Sequence, residues 1–145
     1  MINLRSLEEI EIMKEGGKIS VLALKAVLVA INEGITTLEL DKIAENTILK
    51  NGAKSSFKTV DNYKYTTCIN INAGIVHGLP SHYKLKKGDL VSIDLGALYK
   101  GFHTDLSYTV EVSTTNEQKF LNIGLDAMRA GVFECMEGSH IGDVS

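Results

Sequence analysis

Asp94 and Asp105 stand in one short segment, SIDLGALYKGFHTDLSYT, which runs from Ser92 to Thr109 and is otherwise largely apolar or β-branched. Two carboxylates brought close together repel, so ionising both is costly unless a cation lies between them. A divalent metal removes that cost. Carboxylates and imidazoles suit hard to borderline ions such as Mn, Co, Fe or Zn, and bridging carboxylates can hold two metals roughly 3.5 to 4 Å apart. Imidazoles near in sequence include His77 in GIVHGLP and His103 between the aspartates. His103 is expected as a hydrogen-bonding neighbour rather than a ligand. By residue type, Cys68, Tyr63 and Phe57 suit the lining of an apolar pocket or ordinary core packing. The acids themselves also fit the wet side of a plain hairpin, because antiparallel sheets are commonly polar on one face, and a loop histidine beside Gly78 is often merely exposed.

The positions of the acids depend on hairpin register. Lys100-Gly101 is the natural turn, since glycine admits positive φ and the segments on either side alternate. Opposed residues then have numbers summing to 201. Ile93 meets Tyr108, Leu95 meets Leu106, Val91 meets Val110 and Ala97 meets Thr104, giving one apolar face. Side chains alternate along a strand, so Ser92, Asp94 and Gly96 share the other face with His103, Asp105, Ser107 and Thr109. Asp105 lies opposite Gly96, which places the carboxylates as diagonal neighbours with backbones roughly 7 to 8 Å apart. A slip of one residue would send the acids to opposite faces but would also scramble the apolar pairing.

The rest of the chain reads as elements that hold this hairpin. Ser6 with Glu9 and Thr36 with Glu39 form capping-box patterns that open two helices. Apolar residues recur from Leu7 to Ile31 in the first, which ends near Gly34, and at Leu40, Ile43 and Ile48 in the second, which stops at Gly52. From Lys54 to Pro80 the texture is β-branched and aromatic, broken by glycine, as expected of short strands and a tight loop. Thr114 with Glu117 predicts a third capped helix through Phe120, Leu121, Leu125 and Met128. The order predicts an α+β fold with helices on one face of an antiparallel sheet, in a single domain over residues 1–145.

Composition narrows the function classes. Fifteen basic against eighteen acidic residues give a net charge of -3, with no basic stripe for nucleic acid or an anionic membrane. The apolar stretch VLALKAVLVAI is far shorter than the roughly 20 residues that span a bilayer. The N-terminus lacks a signal-peptide pattern, and Cys68 and Cys135 are isolated, as expected of free thiols in a cytoplasmic protein. The tail GSHIGDVS announces another element and then stops, so the sequence looks interrupted.

Taken together, IMKEGGKI, TTCININAGIVHGLP and KLKKGDLVSIDLGALYKGFHTDLSYT resemble, in order, the N-terminal half of bacterial-type methionine aminopeptidases, over essentially the whole chain. The IDxG and GFHxDxS elements belong to the wider pita-bread metallopeptidases. HGLP, and a start directly at the first helix, favour methionine aminopeptidase over proline dipeptidase or aminopeptidase P. The resemblance implies half of a pita-bread fold and removal of N-terminal methionine from peptides or nascent proteins. It implies two divalent metal ions (Co, Mn, Fe or Zn), with Asp94 and Asp105 as ligands. It makes His77 the catalytic, substrate-contacting histidine, and places Tyr63 and Cys68, with Phe57 beside them, around the methionine side chain. The family's remaining ligands, a histidine and two glutamates, come from its second half, and His140 sits in no matching motif. The expectation is therefore half of an active site, weak or inactive alone, completed by a missing C-terminal half or by self-association. A non-catalytic binding module and a proline-specific peptidase on the same fold are the alternatives.

Overall fold

The computed structural model describes residues 3–145. Helix α1 spans Leu7–Ala30 and α2 spans Thr37–Lys50. Both start where reciprocal capping predicts. The Ser6 hydroxyl accepts from the Glu9 amide at 3.2 Å while the Glu9 carboxylate accepts from the Ser6 amide at 2.8 Å. Thr36 and Glu39 repeat the arrangement at 3.2 and 2.8 Å. Gly34 and Gly52 carry positive φ in the turns that follow the two helices.

Six strands follow: β1 (Lys54–Ser55), β2 (Thr67–Ile71), β3 (Leu90–Leu95), β4 (Ala97–Tyr99), β5 (Phe102–His103) and β6 (Leu106–Glu111). A 3₁₀ turn at Phe57–Thr59 separates β1 from β2. The hairpin register is the one the apolar pattern requires, with Ile93 opposite Tyr108, Leu95 opposite Leu106 and Tyr99 opposite Phe102. Lys100 and Gly101 both have positive φ at the turn.

The expectation of one sheet needs correction. The described residues form two antiparallel three-stranded sheets, ordered β2-β3-β6 and β1-β4-β5, and the hairpin passes from one to the other at Gly96. The cause is local crowding. A Cβ on residue 96 would lie 2.1 Å from the Thr104 carbonyl oxygen and 3.0 Å from Ser56 Cβ. The opposing backbone therefore turns into the space that a side chain would fill. The Gly96 carbonyl accepts from the Ser56 amide at 2.9 Å, which brings β1 alongside β4. The Thr104 hydroxyl accepts from the Ala97 amide at 3.0 Å and lies 2.6 Å from the Ser20 hydroxyl, tying the crossing to α1.

On the first arm of the crossing hairpin the apolar face, Val91, Ile93, Leu95 and Ala97, is fully buried, whereas Tyr108 on the second arm is exposed. The buried face packs with Ile69 against Ala23, Leu24 and Val27 of α1 and Leu40, Ala44 and Ile48 of α2. Each large side chain buried here contributes about 1.5 to 3 kcal/mol.

Helix α3 (Gln118–Phe133) exists as expected, but its predicted capping box does not form. Glu111, at the end of β6, accepts from both the Thr114 hydroxyl and the Glu117 amide, so a carboxylate from the strand replaces the helix's own cap. No residue of α3 is buried, and Phe120, Ile123, Met128, Val132 and Phe133 remain exposed. Among the described residues no helix is long and apolar enough to cross a membrane.

Candidate metal centre

The sheet β2-β3-β6 has a core face and a polar face, and the polar face is built in cross-strand rows. Cys68, Asp94 and Ser107 form one row, and Asn70, Ser92 and Thr109 the next. Asp94 thus stands at mid-sheet with a buried thiol on one side and a hydroxyl on the other. Asp105 comes from the strand break opposite Gly96, where the chain has left one ladder and not yet joined the next.

The two carboxyls lie close enough to share a hydrogen bond. Burial of Asp94, together with that hydrogen bond and the Asp105 charge, pushes its carboxyl up to about 6, while the His77 imidazole opposes the rise. Asp94 Oδ1 is buried and has no hydrogen-bond partner. A buried carboxylate oxygen left bare is costly, and here it sits beside a second acid.

His77 occupies an exposed loop with φ at +55, in the left-handed region that non-glycine residues seldom adopt. His103 points elsewhere, its Nδ1 2.8 Å from the Ser56 hydroxyl, in keeping with its expected role as a hydrogen-bonding neighbour. Tyr63 donates to the Thr67 carbonyl at 2.7 Å, and its hydroxyl lies 3.1 Å from Cys68 Sγ. Desolvation raises the Tyr63 phenol, and burial with the Asp94 and Asp105 charges raises the Cys68 thiol. The Phe57 ring meets the Tyr63 ring edge-on at 6.4 Å, and the Tyr65 ring meets the Tyr63 ring edge-on at 6.0 Å. Phe57, Tyr63 and Cys68 thus form an aromatic and sulfur wall beside Asp94, Asp105 adjoins Asp94, and the His77 imidazole is near enough to oppose the rise of the Asp94 carboxyl.

Residues 11–145 match metallopeptidase family M24. The chain belongs to that family. Among its M24 relatives, it is 37% identical to methionine aminopeptidase from Clostridium perfringens over 147 aligned positions, covering 100% of this chain and 59% of that protein. The solved methionine aminopeptidase from Thermotoga maritima superposes with a TM-score of 0.83 at 32% identity, covering 94% of this chain and 55% of the other. The prolidase from Pyrococcus furiosus superposes with a TM-score of 0.79, also at 32% identity, over 89% of this chain and 37% of that one. The chain thus spans little more than half the length of the methionine aminopeptidases it matches, and its α+β fold is half of the M24 pita-bread architecture.

Divalent metal is general to M24 enzymes, and the residues present fit one in part. The bare Asp94 oxygen and the adjoining Asp105 carboxyl form an anionic, oxygen-rich pair of the kind such ions bind. Among the described residues no group of three or more His, Cys, Asp or Glu side chains converges to hold an ion.

Two residues of this region were not singled out from sequence. Asp41 of α2 is buried, and its Oδ1 accepts from the Thr66 amide, the Thr67 amide and the Thr67 hydroxyl, each at 2.8 Å, fixing the start of β2. Asn70 lies buried in the row next to Asp94 and accepts from the Gly78 amide at 3.0 Å. The one sequence signal for Asn70 was its period-two spacing from Cys68, which puts both on the face that carries the acids.

Proposed function

We propose that this chain contributes the acidic half of a methionine aminopeptidase site, in which Asp94 and Asp105 hold divalent metal and His77 contacts the substrate. The observation that carries the reading is the bare, buried Asp94 oxygen beside Asp105 on the polar face of β3. Metal bound there would act as a Lewis acid toward the first peptide bond and supply an activated water.

The chain's own residues account for the rest. Asp94 and Asp105 would offer adjoining carboxylate oxygens to a cation, whose charge offsets the repulsion between them. His77, exposed at the rim, donates a hydrogen bond to the peptide oxygen on which charge develops. Tyr63 and Cys68 hold each other in place, so the wall offered to a substrate side chain is aromatic ring and sulfur, a polarisable surface that suits a thioether. Phe57 extends that wall.

The substrate is the N-terminus of a peptide or nascent protein, in the cytoplasm. The ligands this chain does not supply come from a complementary half of the fold or from a second copy, and the exposed apolar side of α3 is where that partner docks. Activity of the chain alone is weak or absent. Supporting this reading, the methionine aminopeptidases it resembles are much longer than the matched region.

The test is Mn or Co titration by calorimetry, with methionine release from a Met-Gly peptide measured in parallel. Weak binding, abolished by Asp94→Asn and by Asp105→Asn together with any release, is expected. Binding and release indifferent to both substitutions would overturn the assignment. The likeness to the P. furiosus prolidase favours a second reading, a proline-specific peptidase. Faster cleavage of Ala-Pro than of Met-Ala by the completed enzyme would select it.

A further inference from the structure

The proposed role of His77 requires its loop to be held in one place, yet that loop has little apolar anchorage. Ile75, Val76 and Leu79 are all exposed, and His77 itself carries a left-handed backbone. What secures the loop is a polar residue of the sheet. Asn70, 6% exposed in the middle of β2, has the loop wrapped around it. A Cβ on residue 74 would lie 3.3 Å from Asn70 Cβ, and one on residue 78 would lie 2.7 Å from Asn70 Oδ1 and 2.3 Å from the Ile69 carbonyl oxygen. Glycine at both positions lets the chain close down on the asparagine.

Two hydrogen bonds then join the loop to the strand. Asn70 Oδ1 accepts from the Gly78 amide at 3.0 Å, and the Gly78 carbonyl accepts from the Ile69 amide at 2.9 Å. Gly78 thus lies along the edge of β2 that β3 does not use. Because His77 immediately precedes it, the position of Gly78 sets where the imidazole emerges.

We propose that Asn70 is the positioning residue for His77: its side-chain carbonyl pins Gly78 to β2 and thereby holds the imidazole beside the Asp94 and Asp105 pair. This rests on the reading of those three residues as one site. A serine or alanine at position 70 is too short to reach the Gly78 amide, whereas aspartate keeps the accepting oxygen. The asparagine therefore makes a connection that the strand pairing alone does not supply.

The experiment uses the full chain, isotope-labelled, with two readouts. In Asn70→Ala, amide exchange at Gly78 and Ile69 should accelerate about tenfold, the loss expected for one net hydrogen bond holding a local opening unit. Exchange at Ser92 and Asp94 should stay unchanged, showing that β2 and β3 remain paired, and Asn70→Asp should restore protection at Gly78 and Ile69. The second readout is broadening of the His77 ring signals by substoichiometric Mn. It should be strong in the unmodified chain and fall to the level of His140 in Asn70→Ala, while broadening at the Cys68 and Ser107 amides persists. Unchanged Gly78 exchange, or His77 broadening that survives the substitution, overturns the proposal. If Mn broadens neither Cys68 nor Ser107 in the unmodified chain, the metal reading fails. Asn70 is then judged on exchange and aspartate rescue alone, and failure of either rejects it.

Discussion

Cys68 faces Asp94 directly across the β2-β3 pair, and Tyr63 approaches the same thiol at 3.1 Å. The proposed substrate wall and the proposed metal ligand are thus neighbours in one cross-strand row. That adjacency couples the chemistry of the thiol to the charge on the acid.

Thiol reactivity should report the coupling. Cys135 is exposed and Cys68 buried, and the Cys68 thiol is raised by burial and by the nearby acids. With a disulfide reagent at mildly alkaline pH, Cys135 should react first and Cys68 at least about tenfold more slowly, since the thiolate is the reacting species. Asp94→Asn should speed the slow phase. Equal rates at the two cysteines, mapped by mass spectrometry, would contradict the described burial.

Stability should depend on pH in an unusual direction. Asp94 is held at about 6, above the ordinary carboxylate value of 3.8, by burial and by Asp105. An acid whose folded value lies above its unfolded one binds more protons when folded, so stability falls as pH rises from about 4 through 6. In chelator-treated protein, urea unfolding should show that loss. Asp94→Asn should remove it and stabilise the chain near neutral pH by about 1 kcal/mol, a figure discounted for partial exposure. A profile that the substitution leaves unaltered would refute the coupling of the two acids.

Gly96→Ala tests the crossing between the sheets. The added methyl would meet the Thr104 carbonyl oxygen at 2.1 Å, a backbone atom that cannot step aside without breaking the contact to α1. A loss of about 3 kcal/mol in denaturant unfolding is expected, at the upper end of overpacking costs. A loss below about 1 kcal/mol would show that the crossing is more adaptable than its geometry indicates.

The uncovered side of α3 should make the chain self-associate. Phe120 and Phe133 are 63% and 69% exposed, with Ile123 and Val132 close behind. Sedimentation velocity should show mass increasing with concentration, and Phe120→Glu with Phe133→Glu should return the chain to a monomer. A monomer at all concentrations would leave the apolar side for a different partner.

What could be read from the residues differs from what could not by the range of the interactions. The caps at Ser6 and Thr36 were legible because each involves groups three residues apart. The hairpin register was legible because apolar alternation permits only one pairing. The cap expected at Thr114 failed because Glu111, outside the motif, competed for the same donors. The split at Gly96 was hidden for a similar reason: whether a glycine is merely small or is filled by another carbonyl depends on where Thr104 and Ser56 arrive.

The linear sequence by itself therefore determined the helices, the turn at Lys100-Gly101 and the placing of Asp94 and Asp105 on one face, since those follow from local capping and period-two alternation. Only the tertiary structure decided that Asp94 Oδ1 is buried and bare, that Asp41 anchors the start of β2, and that Asn70 accepts from the Gly78 amide next to His77. Burial and hydrogen bonding between distant segments are set by packing, and no spacing along the chain encodes them directly.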